Sequence, residues 1–202
     1  MILPLYQGLG NDGFFWGRAV SNTRLRTAEI LRMLASAFDA LATRSLHELY
    51  PPQHRAEIDE LNARIYATVN NGVYEAGFAT SQVQYERAVT PLFETLDLLD
   101  ARLAKQTWLV GDRMTEADIR LFTTLLRFDP VYYGHFKCNL RRLVDYEHLW
   151  PYARRIYQLP HVASTVSFDH IKQHYYSSHR TINPTGIVPL GPIMDWEATV
   201  RA

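Results

Sequence analysis

The chain has 202 residues, with 21 Lys plus Arg against 21 Asp plus Glu and 47% hydrophobic residues. Zero formal charge excludes capture of nucleic acid or an anionic membrane by bulk electrostatics, and the length suffices for a core without disulfide or metal staples. A single cysteine, Cys138, excludes an internal disulfide and a CxxC site and points to a reducing compartment.

The first residues carry no basic stretch ahead of an apolar core, and no run of roughly 18 apolar residues occurs, so the reading is a cytoplasmic protein without a membrane span. Residues 3–6, the turn-rich residues 8–13 and the apolar residues 14–20 spell strand, turn, strand. From Leu25 the periodicity becomes helical, with Ile30, Leu34, Ala37, Phe38 and Leu41 on one face, and Pro51-Pro52 ends it. A second helix is predicted over residues 54–78, its buried stripe being Ile58, Leu61, Ile65, Val69 and Val73. A third carries Tyr85, Val89, Leu92, Leu96, Leu99 and Leu103, the alternating spacing of a helix packed nearly antiparallel to a neighbour. Pro91 lies inside it and should kink it.

Thr115-Glu116-Ala117-Asp118 is a capping box, flanked by Met114 and Ile119 as a hydrophobic staple. The helix it opens continues through Phe122, Leu125, Leu126 and Phe128 to Asp129-Pro130. Asp118 is therefore read as a structural cap. Further helices are predicted over residues 139–146, 151–158 and 161–176. The tail from Thr181 to Pro192, rich in Pro and Gly, is either an extended segment lying over the helices or a disordered end. Cys138 reads as a small buried hydrophobe. His170, His174 and His179 have no carboxylate or thiol to complete a ligand set, so no metal is expected.

A hairpin feeding a helix, followed by a bundle with a long helix pair and a capping box on a central helix, resembles the second half of a glutathione transferase. Three stretches narrow the resemblance: residues 70–79 (NNGVYEAGFA), 127–139 (RFDPVYYGHFKCN) and 171–179 (IKQHYYSSH), with 183–189 (NPTGIVP) beyond. They resemble the glutathionyl-hydroquinone reductases, the xi class of glutathione transferases, over residues 3–192.

This resemblance implies a mainly α fold, a transferase-type helical bundle preceded by a short β-hairpin remnant of a thioredoxin-like domain. Residues 1–40 would be the partial thioredoxin-like segment, 41–180 the helical domain and 181–202 an extended tail. It further implies glutathione as cosubstrate, a small aromatic quinol as substrate and a homodimer. In the family, a cysteine of the thioredoxin-like domain attacks the glutathione sulfur of a glutathionyl-hydroquinone, forming a mixed disulfide and releasing hydroquinone; a second glutathione restores the thiol. By resemblance Tyr74 and Tyr175 assist that step and Tyr132 binds the aromatic substrate. Leu3 and Pro4 match the strand whose cis-proline contacts glutathione, and Thr27 matches the hydroxyl that holds its glutamyl carboxylate.

Two departures accompany the match. The chain begins within the thioredoxin-like domain, and Cys138 belongs to a different motif from the nucleophile. Arg26 stands where the family has Glu, reversing the charge that would receive the glutamyl ammonium. The expectation is a chain that supplies the aromatic pocket without the nucleophile. The alternative is a non-catalytic dimerising or hydrophobic-ligand module.

Overall fold

A computed structural model describes residues 27–37 and 48–199. The predicted hairpin, Leu3, Pro4 and Arg26 lie outside the described residues. The chain divides into two compact units, Met1–Pro52 and Gln53–Ala202.

In the first unit α1 spans Thr27–Ser36 and carries Glu29 in its first turn, where a carboxylate suits the positive end of the helix dipole. Ile30, which the periodicity puts on a buried face, is 38% exposed. The Arg32 guanidinium sits 3.6 Å from the centre of the Tyr50 ring.

The second unit opens with α2 (Arg55–Ile65). It runs into a single wide turn of π-helix, Tyr66–Asn70, closed by an Asn71 N–H donating 2.9 Å to the Tyr66 carbonyl, and continues as α3 (Gly72–Gly77). The predicted second helix is thus one helical run with an extra residue in the middle. Ile58, Leu61, Ile65, Val69 and Val73 are all buried along it.

Helix α4 (Gln82–Leu103) starts where the Ser81 hydroxyl accepts from the Gln84 N–H at 3.3 Å. Its predicted stripe is buried from Val89 to Leu103, and Gly72 lets α3 approach with only ordinary contact to the Ala88 carbonyl and Leu92. Pro91 lies inside the helix, which continues through it although the Arg87 carbonyl loses its usual donor.

Helix α5 (Glu116–Arg127) is the central element, and its capping box forms as predicted. Leu121, Phe122, Leu125 and Leu126 bury its inner face. A second π turn, Phe128–Tyr132, follows directly, with the Tyr133 N–H donating 2.8 Å to the Phe128 carbonyl.

The helix predicted over residues 139–146 is replaced by irregular chain with one 3₁₀ turn, Leu143–Asp145. Carboxylates take the backbone amides there: Asp129 accepts from the Leu143 and Val144 N–H groups at 2.6 and 3.2 Å, and Asp145 accepts from the Arg142 N–H at 3.3 Å. Leu143 and Tyr146 are buried, while Leu140 is 67% exposed.

Helix α6 (Leu149–Tyr157) has Pro151 in its first turn, and its leading amides, of His148 and Leu149, donate to Asp100 at 2.9 and 2.7 Å. The single helix predicted over residues 161–176 is broken. His161 has φ 69°, a 3₁₀ turn covers Ala163–Thr165, and α7 (Phe168–Ser178) starts afresh where the Ser167 hydroxyl accepts from the His170 N–H.

The C-terminal residues touch the helices at two places. Trp196 is buried against Trp150, Tyr157 and Phe168, at 4.8, 5.2 and 5.6 Å between ring centres. Lys172 donates to the carbonyls of Pro189 and Leu190. The described residues contain helices and no strand, and no helix among them is long and apolar enough to cross a membrane.

Candidate functional site

Three tyrosines from distant parts of the sequence meet at their hydroxyls. Tyr74 lies on α3, Tyr132 closes the second π turn and Tyr175 sits near the end of α7. Their oxygens form a triangle with sides of 2.6 Å (Tyr74 to Tyr175), 2.9 Å (Tyr132 to Tyr175) and 3.5 Å (Tyr74 to Tyr132). Tyr132 and Tyr175 are 2% and 6% exposed, and Tyr74 is the partly exposed member.

Burial pushes the Tyr132 and Tyr175 phenols well above their ordinary range, and Tyr74 pushes both the same way, while Arg127 opposes on both and the hydrogen bond with Tyr132 opposes on Tyr175. Both therefore remain protonated at neutral pH. Each hydroxyl has one proton and two lone pairs, so a triangle of three can turn a donor outward toward a fourth oxygen through its exposed corner.

Phe136 is the hub beneath. Its ring lies 5.4 Å from Tyr74, 5.5 Å from Tyr132 and 5.9 Å from Tyr175, edge-on to the first and last and stacked on the second. It also stacks on His179 at 5.6 Å and meets Phe78 at 5.4 Å. The absence of a side chain at Gly77 makes room for it, since a Cβ there would stand 2.3 Å from the Phe136 ring.

His135 and His179 lie beside this hub, with Nε2 of the first 3.1 Å from Nδ1 of the second. Burial lowers both, and His135 falls to about 4 with help from His179 and Lys137. Both rings are neutral at pH 7, one donating and the other accepting.

Cys138 is fully buried, its sulfur 3.9 Å from the Val73 carbonyl and 3.8 Å from that of Phe136. Burial pushes the thiol from an ordinary 9.0 up to about 12. The native protein should accordingly react with Ellman's reagent at neutral pH more than about tenfold more slowly than after urea unfolding, the loss of thiolate being only partly offset by the greater nucleophilicity of a higher-pKa thiolate. Equal rates in the two states would show that the thiol is accessible.

The three tyrosines named from the sequence thus come together. Thr27 is the first residue of α1, in the other unit. His170 and His174 do not join His179 in a ligand set: among the described residues no group of three His, Cys, Asp or Glu is arranged to hold a metal. His135 and Phe136 are additions that spacing gave no reason to single out, although both lie in the stretch 127–139 that carries the resemblance.

The bundle is that of a glutathione S-transferase: the family described as "Glutathione S-transferase, C-terminal domain" matches residues 82–155. Glutathionyl-hydroquinone reductase YqjG of Escherichia coli is 52% identical over 95% of this chain and 58% of its own length. Glutathionyl-hydroquinone reductase PcpF of Sphingobium chlorophenolicum is 50% identical over 94% of this chain and 60% of its own. The glutathione-bound structure of YqjG aligns with a TM-score of 0.83 and 54% identity, over 86% of this chain and 56% of that one. Glutathione S-transferase Xi from Phanerochaete chrysosporium aligns with a TM-score of 0.81 and 52% identity, over 83% and 55%. The chain is a high-identity homologue of the glutathionyl-hydroquinone reductases and of xi-class glutathione transferases, and spans less than two thirds of the length of these relatives.

Proposed function

We propose that the tyrosine cluster is the aromatic half of a glutathionyl-hydroquinone reductase site. In that reaction a thiolate attacks the glutathione sulfur, the bond from that sulfur to the ring carbon breaks with its electron pair going to the ring, and a proton completes the hydroquinone. Phenols suit the second half: their rings give a flat apolar surface and their O–H groups donate to a ring oxygen as charge develops there. The observation that carries the reading is the hydroxyl triangle itself, 2.6 to 3.5 Å on a side with two members held protonated and Tyr74 open to an incoming oxygen. Tyr74 and Tyr175 are the proposed catalytic pair and Tyr132 the substrate-binding residue.

Glutathione is the proposed cosubstrate, as in the glutathione-bound relative, with Leu3, Pro4 and Thr27 as its contacts. The proposed organisation is a partial thioredoxin-like segment over residues 1–40, the helical domain over 41–180 and the tail over 181–202, with the helical domains pairing as a homodimer. The nucleophilic thiol is not assigned to Cys138, whose burial and raised pKa oppose thiolate formation. A second reading, supported by the apolar ring cluster around Phe136, is a non-catalytic dimerising or hydrophobic-ligand-binding module.

Titrating 1,4-naphthohydroquinone while following intrinsic fluorescence tests the pocket. Saturable quenching is expected, weakened about tenfold in Tyr74→Phe, the effect of one lost hydrogen bond of roughly 1.4 kcal/mol. No saturation in the wild type would remove both readings.

A further inference from the structure

Tyr132 and His135 stand three residues apart, and Tyr175 and His179 stand four apart, spacings that place each pair on one side of a helical backbone. The same two segments are therefore bridged twice. Tyr132 meets Tyr175 at 2.9 Å through their hydroxyls, and one turn further on His135 meets His179 at 3.1 Å through ring nitrogens. Phe136 fills the space between the bridges, stacked within 18° of both the Tyr132 and the His179 ring. His179 is also the C-cap residue of α7, and its N–H donates to the Tyr175 carbonyl. A displacement of His179 thus acts on the helical turn that carries Tyr175.

We propose that His135 and His179 are positioning residues that hold the end of α7 so that the Tyr175 hydroxyl meets those of Tyr132 and Tyr74. The significance for the substrate rests on the function proposed above; the positioning itself does not. Two neutral imidazoles satisfy each other as donor and acceptor, whereas two protonated rings have only donors and repel. The groups acting on them are all basic: Lys137 on His135, His174 on His179 and Arg127 on His174. Tyr176, whose ring lies 4.5 Å from that of His135, donates its hydroxyl proton to the Pro130 carbonyl, and Tyr175 touches the His179 ring edge-on at 5.5 Å. Because the folded state binds these protons less readily than the unfolded chain, the clamp is intact above the ordinary histidine value of 6.5 and weakens as pH falls toward about 4, the first proton leaving one N–H···N bond and the second removing its acceptor.

The test is near-ultraviolet circular dichroism of the tyrosine band on the whole chain between about pH 7.5 and pH 4, with far-ultraviolet helicity followed in parallel. The wild type should lose part of the band toward the acid end of this window while keeping its helicity. His179→Gln, which hydrogen-bonds without titrating, should keep the band at both ends. His179→Phe, which keeps the stacking and lacks the hydrogen bond, should show the reduced band already at pH 7.5. A wild-type band unchanged at pH 4, a His179→Gln profile that follows the wild type, or a full band in His179→Phe at pH 7.5 would each overturn the proposal. Since this readout needs no quinol, failure of naphthohydroquinone to bind counts against the proposed function and leaves the clamp standing.

Discussion

Asp118→Ala is expected to destabilise the helical unit by about 4 kcal/mol, because each buried donor left without a partner costs roughly 1–3 kcal/mol. Four donors converge on this fully buried carboxylate: the Leu109 N–H and the Tyr152 hydroxyl on Oδ1, both at 2.9 Å, and the Thr115 N–H and hydroxyl on Oδ2, at 2.7 and 2.9 Å. Burial pushes the carboxyl above its usual range while the same four donors pull it down. The Thr115 hydroxyl can rotate to another acceptor; the two amides and the buried Tyr152 phenol cannot. One side chain therefore ties the loop before α5 to the first turn of α5 and to α6. Urea unfolding followed by far-ultraviolet circular dichroism should register a midpoint lowered by roughly 2 M, at a slope near 2 kcal/mol per M. Asp118→Asn should fall between, since its carbonyl oxygen still serves Leu109 and Tyr152 while its amide nitrogen faces the Thr115 donors. A loss below about 1 kcal/mol in the alanine variant would mean that the four bonds contribute little beyond their exchange with water.

The second large effect is expected at Gly77. Alanine there puts a Cβ 2.3, 2.4 and 2.8 Å from three carbons of Phe136. Phe136 is wholly buried and in ring contact with Tyr74, Tyr132, Tyr175 and His179, so it moves only by moving them. Overpacking of this kind costs about 1–3 kcal/mol, and the near-ultraviolet tyrosine signal and quinol affinity should fall with it. Gly72→Ala is the matched control. Its added carbon meets nothing nearer than 3.8 Å, so the helix preference for Ala over Gly should make it neutral or stabilising by up to about 1 kcal/mol. If the two variants prove equally stable, the close approach of α3 to Phe136 is more yielding than the geometry indicates.

What could be read in the amino-acid order follows from where the causes are local. The stripes of α2 and α4 are buried as predicted because an apolar face of helical period has one way to leave water, and the Thr115–Asp118 cap forms because its partners are three residues apart. Residues 139–146 were opaque: the carboxylate that takes the Leu143 and Val144 amides belongs to Asp129, on the other side of a turn. The break after His161 likewise depends on a left-handed residue that is not glycine. In the site, the tyrosines were named through motifs, since nothing in the spacing of Tyr74, Tyr132 and Tyr175 brings their hydroxyls together. The sequence sets His179 beside His170 and His174, with which it completes no ligand set. The pair in contact is His135 and His179, joined by the fold rather than by a helix period.

The two π turns bear on how this arrangement tolerates change in length. Each adds one residue to a helical run, and one residue is about 100° of rotation for everything downstream. Tyr66–Asn70 stands just ahead of Tyr74, and Phe128–Tyr132 ends on Tyr132. The turns act as phase shifters: upstream, the helix is set by the core it covers, and downstream, by the direction in which a phenol must point. A deletion that restored a regular α-helix at either place would rotate the downstream residues and swing a hydroxyl out of the triangle. Length at these two positions matters to the hydroxyl triangle as much as the identity of the tyrosines themselves.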